Sequence, residues 1–561
     1  MNIRLGLSAV VALIAASAEA GAVVRLAGRV VDTTGNPVAE ARIAEWWFAE
    51  QSAPLELALP TLSGTDGRFS LEVELYNRDS VLMAIDSTGI LGGLATISAT
   101  SPQEPINIDL QRLVEVRFRY ASEQPDLSLG ETYVTVSVGD KRLRVAGGRS
   151  RAAKFAMKLP PGRCTIRGGE TRHDEDDREF TLERGKDLDL GEIKLQPSKV
   201  TQLIGKPAPA WHITDARGVS KDVQPADFKG KWVVLEFWGY WCGPCVRRGL
   251  PGWIDFVDNH AADGDKFVVL AIHDPQATDF TMLDEKLKPI VRRAWHGRSL
   301  PFPILLDTSG RTVEDYGVKY WPTAVLLDPE GRVVDFPAKP FVLGSWACED
   351  FLASKLTPLP AAIRISSALD RGLSIAVGEG ETLADTLDFY GKVGRITIRL
   401  DPDELKAAGV DEKVPVPLTL GGSLTLRAWL NLTLEPFGLT YVENGDGLRI
   451  VRGSPENLRL SRPSPRQIKE NALVGEALKQ KVTLDFQGES LKQVIAKLET
   501  ATGESFVVDP ACNKSGTIDR DIRVTGSAAD EPLSSALTRL LAPLGLTFVV
   551  RNEAIVLTSR H

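Results

Sequence analysis

Three patterns of hydrophobic and polar positions follow one another along the chain. The first is strict alternation, in Arg68-Phe69-Ser70-Leu71-Glu72-Val73-Glu74-Leu75, Val114-Glu115-Val116-Arg117-Phe118-Arg119-Tyr120 and Tyr133-Val134-Thr135-Val136-Ser137-Val138. A period of two puts every second side chain on one face, which predicts half-buried strands. Val23 to Asp32 reads as a further apolar-rich strand. Thr34-Gly35-Asn36-Pro37, Gly64-Thr65-Asp66-Gly67 and Leu159-Pro160-Pro161-Gly162 supply turns. Two all-β units are expected, over 22–110 and 111–198.

The second pattern is the unbroken apolar run. Trp232-Val233-Val234-Leu235-Glu236-Phe237-Trp238 and Phe267-Val268-Val269-Leu270-Ala271-Ile272 read as strands buried on both faces. They alternate with helix-sized segments, so 199–345 predicts an α/β domain. The third pattern is repetition. Leu434-Glu435-Pro436-Phe437-Gly438-Leu439-Thr440-Tyr441-Val442 matches Leu541-Ala542-Pro543-Leu544-Gly545-Leu546-Thr547-Phe548-Val549. Upstream, Thr382-Leu383-Ala384-Asp385-Thr386-Leu387 matches Ser490-Leu491-Lys492-Gln493-Val494-Ile495. Two small α+β modules are expected, over 370–452 and 475–560. Arg452-Gly453-Ser454-Pro455 and Arg462-Pro463-Ser464-Pro465 read as a Pro/Ser linker between them.

The first twenty residues carry a different signal. Asn2-Ile3-Arg4 is a short positive start, Leu5 to Ala16 an apolar core, and Ala18-Glu19-Ala20 a small-residue cleavage site. The run is short for a bilayer span, so residues 1–20 predict a cleaved export signal and a periplasmic or cell-envelope destination. Charge changes the picture little. The 66 basic and 74 acidic residues leave a net charge of −8, without the basic footprint of a nucleic-acid binder. The most charged run, Arg172-His173-Asp174-Glu175-Asp176-Asp177-Arg178-Glu179, reads as a solvated loop.

The chemistry sits at Trp241-Cys242-Gly243-Pro244-Cys245, directly after the run Trp232–Trp238. Of five cysteines, only Cys242 and Cys245 are close in sequence; Cys164, Cys348 and Cys512 read as isolated core thiols. A zinc site would need two more Cys or His ligands at suitable spacing, and the six histidines form no ligand pair. Two thiols three residues apart suit thiol–disulfide exchange, with one exposed thiolate and one resolving thiol. A helix starting under Cys242 favours its thiolate and exposes it, and Cys245, one turn in, resolves. Pro244 suits the first turn. Trp241 shields one side of the thiolate. No metal or cofactor is called for.

With these residues in place, several resemblances follow. Ile204-Gly205-Lys206-Pro207-Ala208-Pro209, Val233 to Cys245, Phe302-Pro303-Ile304-Leu305-Leu306-Asp307, Tyr316-Gly317-Val318 and Trp321-Pro322-Thr323-Ala324-Val325-Leu326-Leu327-Asp328 resemble the thioredoxin superfamily, in particular its exported TlpA-like/redoxin branch. The resemblance implies a thioredoxin fold, with Pro322 as a cis-proline and Glu236 as a buried acid that shuttles a proton for the resolving thiol. It also implies substrate contacts from Trp241, Gly243, Pro244, Trp321 and Thr323. Arg247 and Arg248 depart from the family, which often has an acidic residue there. They favour the Cys242 thiolate if they face it, and otherwise form a solvated face. His273 is a lesser candidate for proton relay. Gly28-Arg29-Val30-Val31-Asp32, Gly35-Asn36-Pro37-Val38 and Asp66-Gly67-Arg68-Phe69 resemble the carboxypeptidase-regulatory-like β-sandwich. The Pro-x-Gly-Leu-Thr repeats resemble the short N-terminal domains of secretins and outer-membrane receptors, which implies protein contacts.

The expected architecture is multidomain: two β-sandwiches, a thioredoxin-fold α/β domain and two repeated α+β modules. The expected function is an exported thiol–disulfide oxidoreductase, reducing disulfides of protein substrates and recharged by an electron donor that the sequence does not name. The Gly243-Pro244 insert resembles the reducing thioredoxin type. Two alternatives stay open: an envelope scaffold with an accessory redoxin domain, and a thiol peroxidase.

Overall fold

The computed structural model describes residues 22–45, 61–75, 79–98, 105–139, 142–295, 297–336, 344–376, 381–416, 421–445, 447–460, 463–509 and 522–559. The expected export signal and Cys512 lie outside these residues. Two sheets form over the first part of the chain. One has the order Arg68–Leu75, Ala22–Val31, Ile106–Asp109, and the other has five strands centred on Ser80–Ile85. Leu26, Val30, Phe69 and Ile108 from the first meet Ile43, Leu82 and Ile97 from the second in one core. A second pair of sheets follows, with Thr132–Val138 and Gly162–Gly169 central in one and Val114–Ser122 central in the other. The alternation in Val114–Ser122 buries Val114, Val116, Phe118 and Tyr120 on one face.

The α/β unit is a six-stranded sheet. Its elements are β1 (Asp215–Arg217), β2 (Trp232–Trp238), α1 (Leu250–Asn259), β3 (Phe267–His273), α2 (Phe280–Arg293), β4 (Ile304–Leu306), α3 (Arg311–Tyr316), β5 (Thr323–Leu327), β6 (Val333–Val334) and α4 (Gly344–Ala353). The order is β1-β4-β3-β2-β5-β6. Strands β2, β3 and β4 run parallel, and β5 pairs antiparallel with β2, setting Glu236 opposite Ala324 and Phe237 opposite Thr323. Both sheet faces are covered, which is why β2 and β3 read as continuous apolar runs. Val233, Leu235 and Phe237 enter one core, and Val234 and Trp238 enter the other with Cys242, Cys245 and Trp253. By period two, Glu236 points to the cysteine side. Helix α4 belongs to this unit: Cys348, Leu352 and the following Leu356 lie in the same core. The expected end of the domain at residue 345 therefore cuts a helix that the sheet needs as cover.

The two C-terminal modules share a pattern. In each, a two-stranded sheet (Gly372–Ala376 with Gly421–Thr425, Lys481–Ser490 with Arg523–Pro532) accompanies a three-stranded one. In each three-stranded sheet a hairpin is joined by a parallel edge strand, Thr397–Leu400 or Phe506–Val508. Gly438 and Gly545 hold φ of 65° and 68° at the matched turns before the hairpins, a conformation a side chain resists. The expected Pro/Ser linker is helical instead, over Pro455–Leu460 and Pro465–Ala477. Ser464 accepts the Gln467 N–H and Pro465 fills the first turn. The Ser-Pro pairs are therefore helix starts, a use the same residues serve as readily as linkers. No helix among the described residues is long and apolar enough to cross a membrane.

Candidate active site

Strand β2 ends at Trp238, and the chain turns through Gly239 and Tyr240 into the cysteine pair. Cys242 and Cys245 are joined in a disulfide, with Cα atoms 5.3 Å apart. The Cys245 N–H points at the Cys242 sulfur at 3.2 Å, and the Val246 N–H bonds the Cys242 carbonyl at 3.1 Å. The Cys245 amide, at the start of the helix, offers partial positive charge to the Cys242 sulfur. The expected exposure of Cys242 is corrected: it is 3% exposed and Cys245 is fully buried. Both sulfurs sit in the apolar core, with Tyr240 and Trp321 packed against it. Trp241, 46% exposed, carries the accessible surface instead.

The helix after the pair opens as a wide π-turn over Cys245–Gly249 before α1 begins. Pro251 supplies the reason. It has no N–H for a carbonyl one α-turn back, and its ring pushes that carbonyl away, so the Leu250 N–H reaches back to the Cys245 carbonyl.

Glu236 is fully buried behind this turn. Trp253 Nε1 donates to its Oε2 at 2.9 Å, and the Ser345 hydroxyl donates to Oε1 at 2.7 Å. Burial pushes the Glu236 carboxyl up to about 7; the Ser345 and Trp253 hydrogen bonds pull it down, and the neighbouring Glu349 pushes it up. Gly249 makes the arrangement fit. A Cβ there would lie 2.8 Å from Glu236 Oε1 and 3.7 Å from the Pro322 Cβ. The Trp321–Pro322 peptide is cis, and Thr323 Oγ1 donates to the Tyr320 carbonyl at 2.7 Å. The Trp241 and Trp321 rings meet edge to face at 6.3 Å. The structure thus brings Cys242, Cys245, Glu236, Trp241, Trp321, Pro322 and Thr323 together, with Gly243 and Pro244 partly exposed between the cysteines.

His273 is buried as a structural residue. Its Nε2 accepts the Tyr240 backbone N–H at 3.0 Å, which leaves Nδ1 to donate to the Asp274 carbonyl at 2.8 Å. Its ring packs on Trp238 and Tyr240. Asp274 Oδ2 accepts Trp241 Nε1 at 2.9 Å, so the end of β3 fixes the exposed tryptophan. Arg247 is exposed; burial pushes the Glu499 carboxyl of the last module up to about 7, and the Phe506 N–H and the Arg247 charge pull it down only in part. Arg248 is half-buried, which lowers its pKa.

The charged run after Arg172 is not a solvated loop. His173 is buried, with Nδ1 2.8 Å from Glu170 and Nε2 2.9 Å from Ser122. Lys319 Nζ meets Asp174 at 2.7 Å, and Glu175 is hydrogen-bonded to the hydroxyls of both Tyr133 and Tyr320. The run therefore grips the segment leading into the cis-proline, and Asp176–Leu182 continues as a strand.

The sequence reading missed Ser345, Trp253 and Gly249. Ser345 lies 109 residues from its partner. Only Trp253, eleven residues after Cys242 on the next helix, had a legible signal.

Residues 204–336 match the AhpC/TSA family. The thiol-disulfide oxidoreductase ResA of Bacillus thuringiensis subsp. konkukian is 34% identical over 131 residues, 23% of this chain and 67% of that protein. The chain belongs to the AhpC/TSA family, within the thioredoxin superfamily. The thioredoxin-like protein YneN of Bacillus subtilis is 34% identical over 131 residues, 23% of this chain and 69% of its own length. A solved structure, the exposed lipoprotein thioredoxin Etrx1 of Streptococcus pneumoniae, is 30% identical, covers 24% of this chain and 90% of its own, and has a TM-score of 0.18. In the present family member the match stops at residue 336, before Ser345 and the rest of α4.

Proposed function

We propose that this thiol–disulfide oxidoreductase is exported by its first twenty residues and reduces disulfides of other proteins through Cys242 and Cys245. The observation that carries the reading is Glu236: a fully buried acid held by Trp253 and Ser345 on the cysteine side of the sheet, with Pro322 across Gly249 from it. A carboxyl poised near neutrality suits proton transfer.

The Cys242 thiolate attacks one sulfur of a substrate disulfide and forms a mixed disulfide, and the other substrate sulfur leaves as thiolate. The Cys245 thiol passes its proton to the Glu236 carboxylate. The Cys245 thiolate then attacks the Cys242 sulfur, closes the internal disulfide and expels the second substrate thiolate. The substrate thiolates take up protons from Glu236 and solvent. Two electrons pass to the substrate, and a dithiol donor returns the pair to the reduced form. The neighbouring β unit and the tail modules act as adaptors toward envelope partners; the Glu175 and Asp174 contacts beside Pro322 support that role.

A Cys245→Ala variant should accumulate a substrate protein covalently held at Cys242. Cys242→Ala should abolish insulin reduction. Trapping at another cysteine, or a midpoint potential well above about −150 mV, would overturn the roles or the reducing direction.

A further inference from the structure

Glu236 is not the only buried acid beneath the disulfide. Glu349, on α4, is 5% exposed, and its Oε1 has no hydrogen-bond partner among the described residues. The two carboxyls occupy the same groove. Gly249 and Gly252 lie three residues apart on the helix after the cysteines, hence on one face. A Cβ on Gly249 would lie 2.8 Å from Glu236 Oε1, and one on Gly252 would lie 2.4 Å from Glu349 Oε1. Facing them, Ser345 and Glu349 lie one turn apart on α4, and Ser345 bonds Glu236. Two missing side chains on one helix thus leave adjacent slots, and each is filled by a carboxylate.

The far end of the groove opens on the next module. Arg371 Nη2 lies 4.0 Å from Glu349 Oε2. Arg371 and Arg395 each pack a guanidinium over Trp346, 5.5 Å from its ring centre. Arg395 also pairs with Asp350. Trp346, Glu349 and Asp350 all belong to α4, so one helix touches the redox acid on one side and two arginines of the tail on the other.

We propose that Glu349 is a positioning residue for the exchange reaction: through its charge it sets when Glu236 holds its proton, and it couples Glu236 to the Arg371 and Arg395 clamp of the following module. The inference rests on the thiol–disulfide reading above. Burial pushes Glu349 up to about 7, against the pull of Arg371 and Arg395 and with the push of Asp350 and Asp255. The charged groups acting on it are Asp255 of α1, Asp350 of α4 and the two arginines, and it acts in turn on Glu236 of β2 and Cys348 of α4. A negative charge on Glu349 pushes the Glu236 carboxyl up, so Glu236 ionises less readily while Glu349 is charged. When Glu236 takes the Cys245 proton, Glu349 bears the remaining negative charge, beside Arg371.

The test uses the full-length reduced protein and 5,5′-dithiobis(2-nitrobenzoate), following the second thiolate release, which reports Cys245 attack, across pH. Glu349→Gln should move the midpoint of that phase down by about half a pH unit or more, because Glu236 loses an anionic neighbour. Arg371→Gln should also move it down. Without its cation Glu349 stays neutral to higher pH, so Glu236 again ionises earlier. Unchanged midpoints in both variants overturn the proposal, as does an upward shift in Arg371→Gln, which would mean the arginine acts on Glu236 directly. If Glu349→Gln does not fold, Arg371→Gln decides alone. Absence of any second release in the wild type sinks the exchange reading instead.

Discussion

The Ser345 hydroxyl donates to Glu236 Oε1 at 2.7 Å, from a helix that lies beyond the family-matched span. A donor to a carboxylate favours its charged form. Ser345→Ala should therefore raise the pH at which Glu236 ionises, and with it the pH of the resolving step in the proposed mechanism, by up to about one unit, and cost about 1 kcal/mol of stability. The pH profile of the resolving step checks the first and thermal unfolding the second. A profile that stays in place would show the hydroxyl to be structural only.

Glu236 also sets how stability depends on pH. Its carboxyl is raised by burial from 4.5 to about 7, so the folded chain binds this proton more tightly than the unfolded chain. The stability it contributes is full below about pH 4.5 and is lost as pH rises through about 7. Glu236→Gln has no proton to lose, and its amide can accept from Trp253 and donate to Ser345. The variant should match the wild type near pH 4 and exceed it at pH 8, by on the order of 3 kcal/mol. Parallel unfolding curves across that range would count against a neutral, buried Glu236.

Gly249 tests the geometry without touching a titrating group. Gly249→Ala places a methyl 2.8 Å from Glu236 Oε1, against a carboxyl already fixed by two donors. The carboxyl or the cis-proline loop must shift. Exchange should fall at least about tenfold while the first attack by Cys242 stays within about twofold, since a small misplacement of a proton acceptor is costly. Equal loss in both phases would point to general distortion instead.

How much of this was legible depends on the range of the contact. The pentapeptide Trp241–Cys245, the buried strand under it and the acid at Glu236 are local, and period two alone sends Glu236 to the cysteine side. Ser345, Gly249 and Glu349 are not local: a serine and a glutamate on a later helix carry no mark of their partners until α4 packs. The buried Cys242 misled for a related reason. A helix start predicts exposure, but Cys242 lies in an apolar core that Tyr240 and Trp321 pack against. The charged run at Arg172–Glu179 misled more deeply. Charge argues for solvent, yet Asp174 and Glu175 find Lys319, Tyr133 and Tyr320 waiting on elements far away in sequence. The Ser-Pro pairs were ambiguous in principle, since linkers and helix starts use the same residues.

The grip of the β unit on the cis-proline segment yields a prediction about substrate choice. Glu175 is bonded to the Tyr320 hydroxyl two residues before Pro322 and is held in place by Tyr133 at 2.5 Å. The surface pair Lys319–Asp174 adds little by itself, because both partners are substantially exposed. Tyr320→Phe removes only the shared hydrogen bond and leaves the ring, so the fold should hold within about 1 kcal/mol. The loop beside Pro322 then keeps only the exposed Lys319–Asp174 pair as its tie to the β unit. On the proposed function a folded protein disulfide docks on that loop, and it should show a KM raised about threefold or more with kcat little changed. A small disulfide such as cystamine has no such docking surface and should react as in the wild type. Equal effects on both substrates, or none on either, would detach the β unit from substrate choice and leave Glu175 a packing contact.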